Sequence, residues 1–303
     1  MKILLAIDGS RSSDWASESV CHMAECPEMD DTTVYLVHVT TPFPEPMMPF
    51  PDVFVESDLL SREQLEKEHE VLAGQRLADS RNTLPSKWTV IPQHRVGQPA
   101  REILDTIKED SVDLVVLGAT GMNEVDSGLG SVAQKVSRYA PCSVLLARQP
   151  GTRVSRVLVA LDDSGDTRRV LDYVAASPWL KRAAVTLAHV VEDRYLHESR
   201  IAASQFAGSE AYLSRLQKVL VREAQDFLGR QADYMQDKGV RVDTLALEGD
   251  PAQVVQDRAG TGGFDLLVMG AKGRHGLAGF LLGSTSQRVM RQAATSVLLI
   301  RTT

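Results

Sequence analysis

Cysteine is scarce in this sequence. Three in 303 residues, Cys21, Cys26 and Cys142, cannot close a full disulfide framework, which excludes a disulfide-stapled scaffold and suits a reducing compartment. Cytoplasm is the expected location. Aromatic residues are few, at 5%, and the longest apolar runs reach five or six residues, where a membrane helix needs about 20. No membrane association is expected. The opening run ILLAI turns polar at Asp8, too short for the core of a secretory signal, which needs about 7 to 15 apolar residues. It reads as a first strand. Positive charge is also short: 33 Lys and Arg stand against 40 Asp and Glu, a net charge of -7 that argues against nucleic acid as a partner. The glycine, lysine and serine or threonine string of a P-loop is absent, which excludes that class of motor and GTPase.

What is present is arranged twice. Displacing the sequence by about 152 residues brings ILLAIDGS (3–10) onto VLVALDDS (157–164), VYLVHV (34–39) onto VTLAHV (185–190) and VGQPAREIL (96–104) onto EGDPAQVVQ (248–256). DLVVLGATG (113–121) meets DLLVMGAKG (265–273), and SVLLAR (143–148) meets SVLLIR (296–301). Five matches in one order indicate a tandem duplication, with domains over 1–148 and 156–303. The halves differ in charge. Residues 1–150 hold 13 Lys and Arg with 23 Asp and Glu, and residues 151–303 hold 20 with 17, giving -10 and +3. An anion is better received by the second half.

Within each half, short β-branched or Leu-rich runs alternate with longer polar stretches of helical period, the pattern of crossover units over a parallel sheet. Strands are expected at 2–7, 34–39, 88–96, 113–118 and 143–147, and again at 156–161, 185–190, 241–247, 265–270 and 296–300. The fold class is therefore α/β with two doubly wound domains of five strands. Pro99 and Pro251 suit first helical positions, Asp250 is a natural N-cap, and residues 56–82 and 208–238 read as long amphipathic helices. Residues 41–51 carry five prolines and read as an extended loop, either a lid or a variable surface connection. The apolar last strands, 143–148 and 296–301, are edges that should pair or cover each other, making the chain an internal pseudo-dimer, with a further homodimer open.

Ligands of doubly wound sheets bind beyond the carboxyl ends of the strands. That directs attention to Asp8 and Asp162 after the first strand, Val39 and Val190 ending the second, and the glycines after the fourth. In the second half these read Gly270, Gly273 and then, after nine residues, Gly283, Ser284 and Thr285 opening a helix. Glycine lets backbone amides approach phosphate oxygens, and a helix start adds unsatisfied donors. Lys272, Arg274 and His275 share that loop, either as phosphate contacts or as solvated side chains.

These residues carry a resemblance: the sequence is similar to tandem-type universal stress proteins, whose nucleotide signature is Gly, two residues, Gly, nine residues, Gly and then Ser or Thr. The resemblance spans essentially the whole chain. It implies a sheet order of 3-2-1-4-5 in each half with helices on both faces, and ATP with Mg²⁺ as the ligand. It also implies Ala160 and Asp162 bordering the adenosine, the Val190 backbone contacting adenine, and Gly270, Gly273, Gly283, Ser284 and Thr285 holding the phosphates. The first half departs from the signature. Gly118 and Gly121 are followed after only eight residues by Gly130 and Ser131, across a loop with Glu124, Asp126 and no base. Shortening and acidity weaken the grip on a polyanion there. Two readings stay open for that half, a degenerate pocket kept for packing and weaker occupancy of Asp8, Val39, Gly118, Gly121, Gly130 and Ser131 by the same ligand.

Other signals lead elsewhere. Gly128, Gly130 and Ala133 fit a loose dinucleotide pattern, but a loop separates them from the preceding strand and no acid ends the next one. Cys21, His22 and Cys26 lack the further ligands of a metal site and read as one helix face. His38 and His189 end apolar strands, where an imidazole satisfies a local hydrogen bond. No nucleophile, base and orienting group assemble from motif spacing. The expected function is regulatory ATP binding that alters a surface read by a protein partner. Its rivals are a slow ATPase or self-phosphorylating enzyme, with Ser284 or Thr285 as acceptor, and a nucleotide-free scaffold.

Overall fold

The computed structural model describes residues 1–42, 62–122, 128–192, 209–271 and 282–301. The apolar runs of the first half form β1 (Lys2–Ile7), β2 (Thr33–Thr40), β3 (Thr89–Val96), β4 (Leu114–Gly118) and β5 (Ser143–Ala147). The second half repeats them as β6 (Arg156–Leu161), β7 (Ala184–Glu192), β8 (Val242–Gly249), β9 (Leu266–Gly270) and β10 (Ser296–Ile300). All ten coincide with the expected runs. Helices cover both faces of the inner strands, so successive residues such as Ile3, Leu4 and Leu5 are all fully buried. The outermost strands β3 and β8 bury no residue completely, and Pro92 is tolerated in β3 because its outer side needs no ladder donor.

Each half has the expected strand order 3-2-1-4-5, and the two sheets are one. The full order is β3-β2-β1-β4-β5-β10-β9-β6-β7-β8, parallel within each half and antiparallel where β5 meets β10. Leu145 lies opposite Leu298, with Val144 opposite Leu299 and Leu146 opposite Val297. All six are essentially inaccessible to water. At about 1.5 to 3 kcal/mol for each buried aliphatic side chain, this seam is a substantial part of what joins the halves. The pairing also removes two bare apolar edges.

On one face lie α1 (Arg11–Met23), α2 (Arg62–Thr83), α5 (Thr167–Ala176), the single turn α6 (Pro178–Lys181) and α7 (Ser209–Asp237). The other carries α3 (Pro99–Glu109), α4 (Ser131–Tyr139), α8 (Pro251–Thr261) and α9 (Ser284–Gln292). A single apolar core on each face includes side chains of both halves. Pro99 and Pro251 do open their helices, and the Asp250 carboxylate accepts from the Gln253 amide at 2.9 Å. One expectation needs correction: α2 is only weakly amphipathic, seating Ala73 and Leu77 while leaving Val71 and Leu72 exposed. Its expected first turns, and most of the proline-rich loop, lie outside the described residues. Among the described residues, no helix is long and apolar enough to cross a membrane.

Two arginines stitch the halves beside the seam. Arg148, following β5, donates to the carbonyls of Gly128 and Met290, and burial lowers its pKa to about 10. Its counterpart Arg301, following β10, donates to the carbonyls of Ser137 and Arg138 at 2.8 Å, at the C-terminal end of α4. The joining segment passes close to α1, the Gly151 amide donating to Glu18 at 2.7 Å.

Candidate functional site

In each half the strand order reverses between the first and fourth strands, so a crevice opens beyond their carboxyl ends. In the first half it is a cavity of about 280 Å³. Asp8, Val39, Gly118, Gly121, Gly130 and Ser131, the six residues singled out in that half, all line it. Ala6 and Val37 floor it from the sheet, and Pro99 and Ile103 of α3 wall one side.

The turn from β1 into α1 is fixed by local chemistry. Gly9 takes φ +80°, a left-handed conformation suited to glycine, and the Asp8 carboxylate accepts from the Ser10 amide at 2.8 Å. Ser10 then caps α1 by accepting from the Ser13 amide at 3.2 Å. Gly118 has a packing reason of its own: a Cβ there would come 2.3 Å from Ser12 Oγ and 2.7 Å from the Ser12 backbone. The glycine that the sequence suggests for phosphate approach thus also admits the first turn of α1 against β4. At Gly121 a Cβ would lie 3.2 Å from Asp8 Oδ2, so the two loops flanking the crevice nearly touch.

Beyond them, α4 starts at an N-cap glycine. The Gly130 amide is held by the Ala119 carbonyl at 2.7 Å, and no side chain caps the helix. The second half repeats this: Gly283 caps α9, its amide is held by the Ala271 carbonyl at 2.9 Å, and again no side chain caps the helix. Helix starts closed by a side-chain oxygen, as at Ser10 and Asp250, have less to offer an anion than these two. Also in the second half, Ser286 Oγ donates to the Gly270 carbonyl at 2.9 Å. Ala160 lies in β6 beside Ala188 and Met269, Asp162 follows that strand and accepts from Ser164 Oγ at 2.6 Å, and Val190 lies in the adjacent β7. Gly270 ends β9, while Ser284 and Thr285 open α9. Gly273, Lys272, Arg274 and His275 lie outside the described residues.

The imidazoles ending the second strands face the sheet. His38 Nδ1–H donates to the Ile7 carbonyl at 2.9 Å, and His189 Nδ1–H to the Leu161 carbonyl at 2.8 Å. Burial, aided by the nearby Arg76 and His94, holds His38 below its ordinary pKa against the opposing pull of the Ile7 carbonyl and Asp8. It serves as a neutral strut fixing the end of β1. The Cys21, His22 and Cys26 group disperses: Cys21 donates to the Thr83 carbonyl at 3.3 Å, His22 pairs with Glu25 at 2.7 Å, and Cys26 enters the core.

Several cleft residues carry no sequence signal. Ser13, Thr120 and Met122 line the cavity. Arg76 comes from α2, its Nε 3.1 Å from where a Gly9 Cβ would stand and its Nη2 3.8 Å from Met122 Sδ. The first-half loop has no base of its own, but a cation from another element stands at the rim. That cation offsets part of the acidity that the loop's own residues bring to the crevice.

Comparison with known proteins agrees with this architecture. The model of the universal stress protein family matches twice, over residues 1–148 and 153–301. Universal stress protein Rv2005c of Mycobacterium tuberculosis is 26% identical over 309 residues, covering 99% of this chain and 96% of that one. Universal stress protein YxiE of Bacillus subtilis, 25% identical over 147 residues, matches 48% of this chain and 99% of its own length. Among solved structures, a universal stress protein from Archaeoglobus fulgidus superposes with a TM-score of 0.62 at 20% identity, covering 99% of this chain and 98% of that one. With the family matched in both halves and the doubly wound fold repeated across one sheet, the chain belongs to the universal stress protein family as a tandem member.

Proposed function

We infer that both crevices take an adenine nucleotide, ATP with Mg²⁺, and that the protein is a regulatory binder whose occupied state is read by a protein partner. The observation that supports this best is the first-half cavity, where Asp8, the glycines and the uncapped start of α4 converge on one space. The space that Gly121, Gly130 and Ser131 line at the start of α4 suits a phosphate tail, and the Asp8 carboxylate suits ribose or adenine hydroxyl and amino groups. By correspondence, Asp162, Val190, Gly270, Gly273, Gly283, Ser284 and Thr285 would serve in the second half. Mg²⁺ would arrive on the phosphate oxygens, neutralising charge that the acidic first half resists. Binding is favoured over rapid chemistry, because the imidazole nearest Asp8 is turned to a backbone carbonyl. A route for the signal exists: α4 begins at the crevice, and its far end is held by Arg301 of the second half.

The test uses the N-cap glycines. Their φ of -64° and -62° suits any residue, so valine adds bulk at the anion site without straining the backbone. Calorimetry with MgATP should show two sites in the wild type and one in Gly130→Val or Gly283→Val, each variant keeping its far-ultraviolet dichroism. Unchanged binding in both variants would refute the reading.

A further inference from the structure

A second cavity, of about 410 Å³, runs between α3 and α4 on the outer surface of the first half. Pro99, Ser131 and Val132 line both it and the crevice, so the two spaces meet at the start of α4. Its lining is apolar at Ala100 and Leu104 and cationic at Arg101, Lys108 and Lys135. One carboxylate, Asp105, also faces it and lies 3.6 Å from Arg101. Three cations against one acid is a local reversal in a half whose net charge is -10. At the far end Tyr139 lines the groove and remains 47% exposed.

The second half is different at the corresponding positions. Asp250 stands where the first half has Gln98, Arg288 stands where it has Lys135, and the two are joined at 2.8 Å. That ion pair ties the start of α8 to α9, and the Lys108 position is occupied by Gly260. No ion pair joins Gln98 to Lys135, since an amide carries no charge.

We propose that the α3–α4 groove is a second subsite of the first crevice, and that together they take a dinucleoside polyphosphate, two nucleosides joined by a phosphate chain. The proposal rests on the reading of the crevice as a nucleotide site. The first nucleoside fills the crevice and the phosphate chain leaves past Ser131. Lys135, Lys108 and Arg101 then meet phosphates that a mononucleotide would not extend to them, and charge-assisted contacts of this kind are the strong ones. The second base rests on the Leu104 and Ala100 floor with the Tyr139 ring as a stacking platform, a contact tolerant of base identity.

Calorimetry with diadenosine tetraphosphate and with ATP, on the full chain, reads the ratio of the two affinities. The wild type should prefer the bridged ligand by about tenfold, worth roughly two groove contacts. Lys108→Gln with Lys135→Gln should bring the ratio to about one while ATP affinity holds, and Tyr139→Ala should lower it partly; all three residues are exposed, so the fold is spared. ATP binding without preference for the bridged ligand, or a preference that survives the double lysine variant, overturns the subsite alone. Failure of both ligands to bind overturns the crevice reading and the subsite with it.

Discussion

The two halves build one crevice twice and dress it differently. Both end their fourth strand in glycine, start the next helix at an uncapped glycine, and hold that glycine's amide with the carbonyl following the fourth strand. Around this shared frame the charges diverge. In the second half Asp250 and Arg288 neutralise each other across the helix starts, whereas in the first half Lys135 faces an open groove and Arg76 reaches the rim from α2. Backbone approach and helix ends are thus common property, set by glycines at the same places in both halves. Which anion each half prefers is left to side chains on neighbouring helices, where change costs little stability.

The largest effect should come from the frame itself. In Gly118→Val the new Cβ meets the Ser12 backbone at 2.7 and 2.8 Å, and no side-chain rotation relieves a backbone clash. Overpacking of this kind should cost about 3 kcal/mol, seen as a lower midpoint of urea unfolding, and should open α1 away from β4. A stability loss below about 0.5 kcal/mol would mean that α1 does not rest on β4 as described.

Next come the arginines that make the halves depend on each other. Arg148→Ala removes two hydrogen bonds and strands the Gly128 and Met290 carbonyls at the seam; Arg301→Ala does the same to the end of α4. Each should cost about 2 kcal/mol in thermal or denaturant unfolding, the usual range for a buried charge-assisted pair. Equal losses would show that the duplication keeps its internal two-fold symmetry in energy as well as in shape. A loss confined to Arg148 would locate the coupling in the first-half loop, through Gly128.

Much of this was legible in the sequence, and the reason is physical. Strands covered on both faces must be apolar without alternation, so runs such as ILLAI and VLVAL announce themselves. The pairing of β5 with β10 follows from two edges too apolar to leave bare. Glycine spacing marked the crevice, because backbone approach has a local signature. Side chains recruited from elsewhere have none. Arg76 lies 46 residues before Met122 in a helix that otherwise reads as solvated, and Lys108 and Lys135 become neighbours only when α3 packs beside α4. Gly118 shows the remaining weakness: the residue was singled out for ligand approach, while its absent Cβ reveals an equally strict demand from Ser12.

The smallest effect should come from the strut histidine of the first half. His38 is 5% exposed and is held below its ordinary pKa chiefly by burial, whereas His189 is half-buried against Phe227. A histidine with a depressed folded pKa takes up a proton more readily when unfolded, so its contribution is complete above the unfolded value of about 6.5. It is lost as the pH falls from there through the folded value. Stability measured by denaturant should therefore slope downward below about pH 6.5. His38→Gln keeps a donor for the Ile7 carbonyl but cannot titrate, and should flatten that part of the curve. Were the slope to persist unchanged in His38→Gln, burial of this imidazole would not be its source, and the strut at the end of β1 would contribute through its hydrogen bond to Ile7 alone.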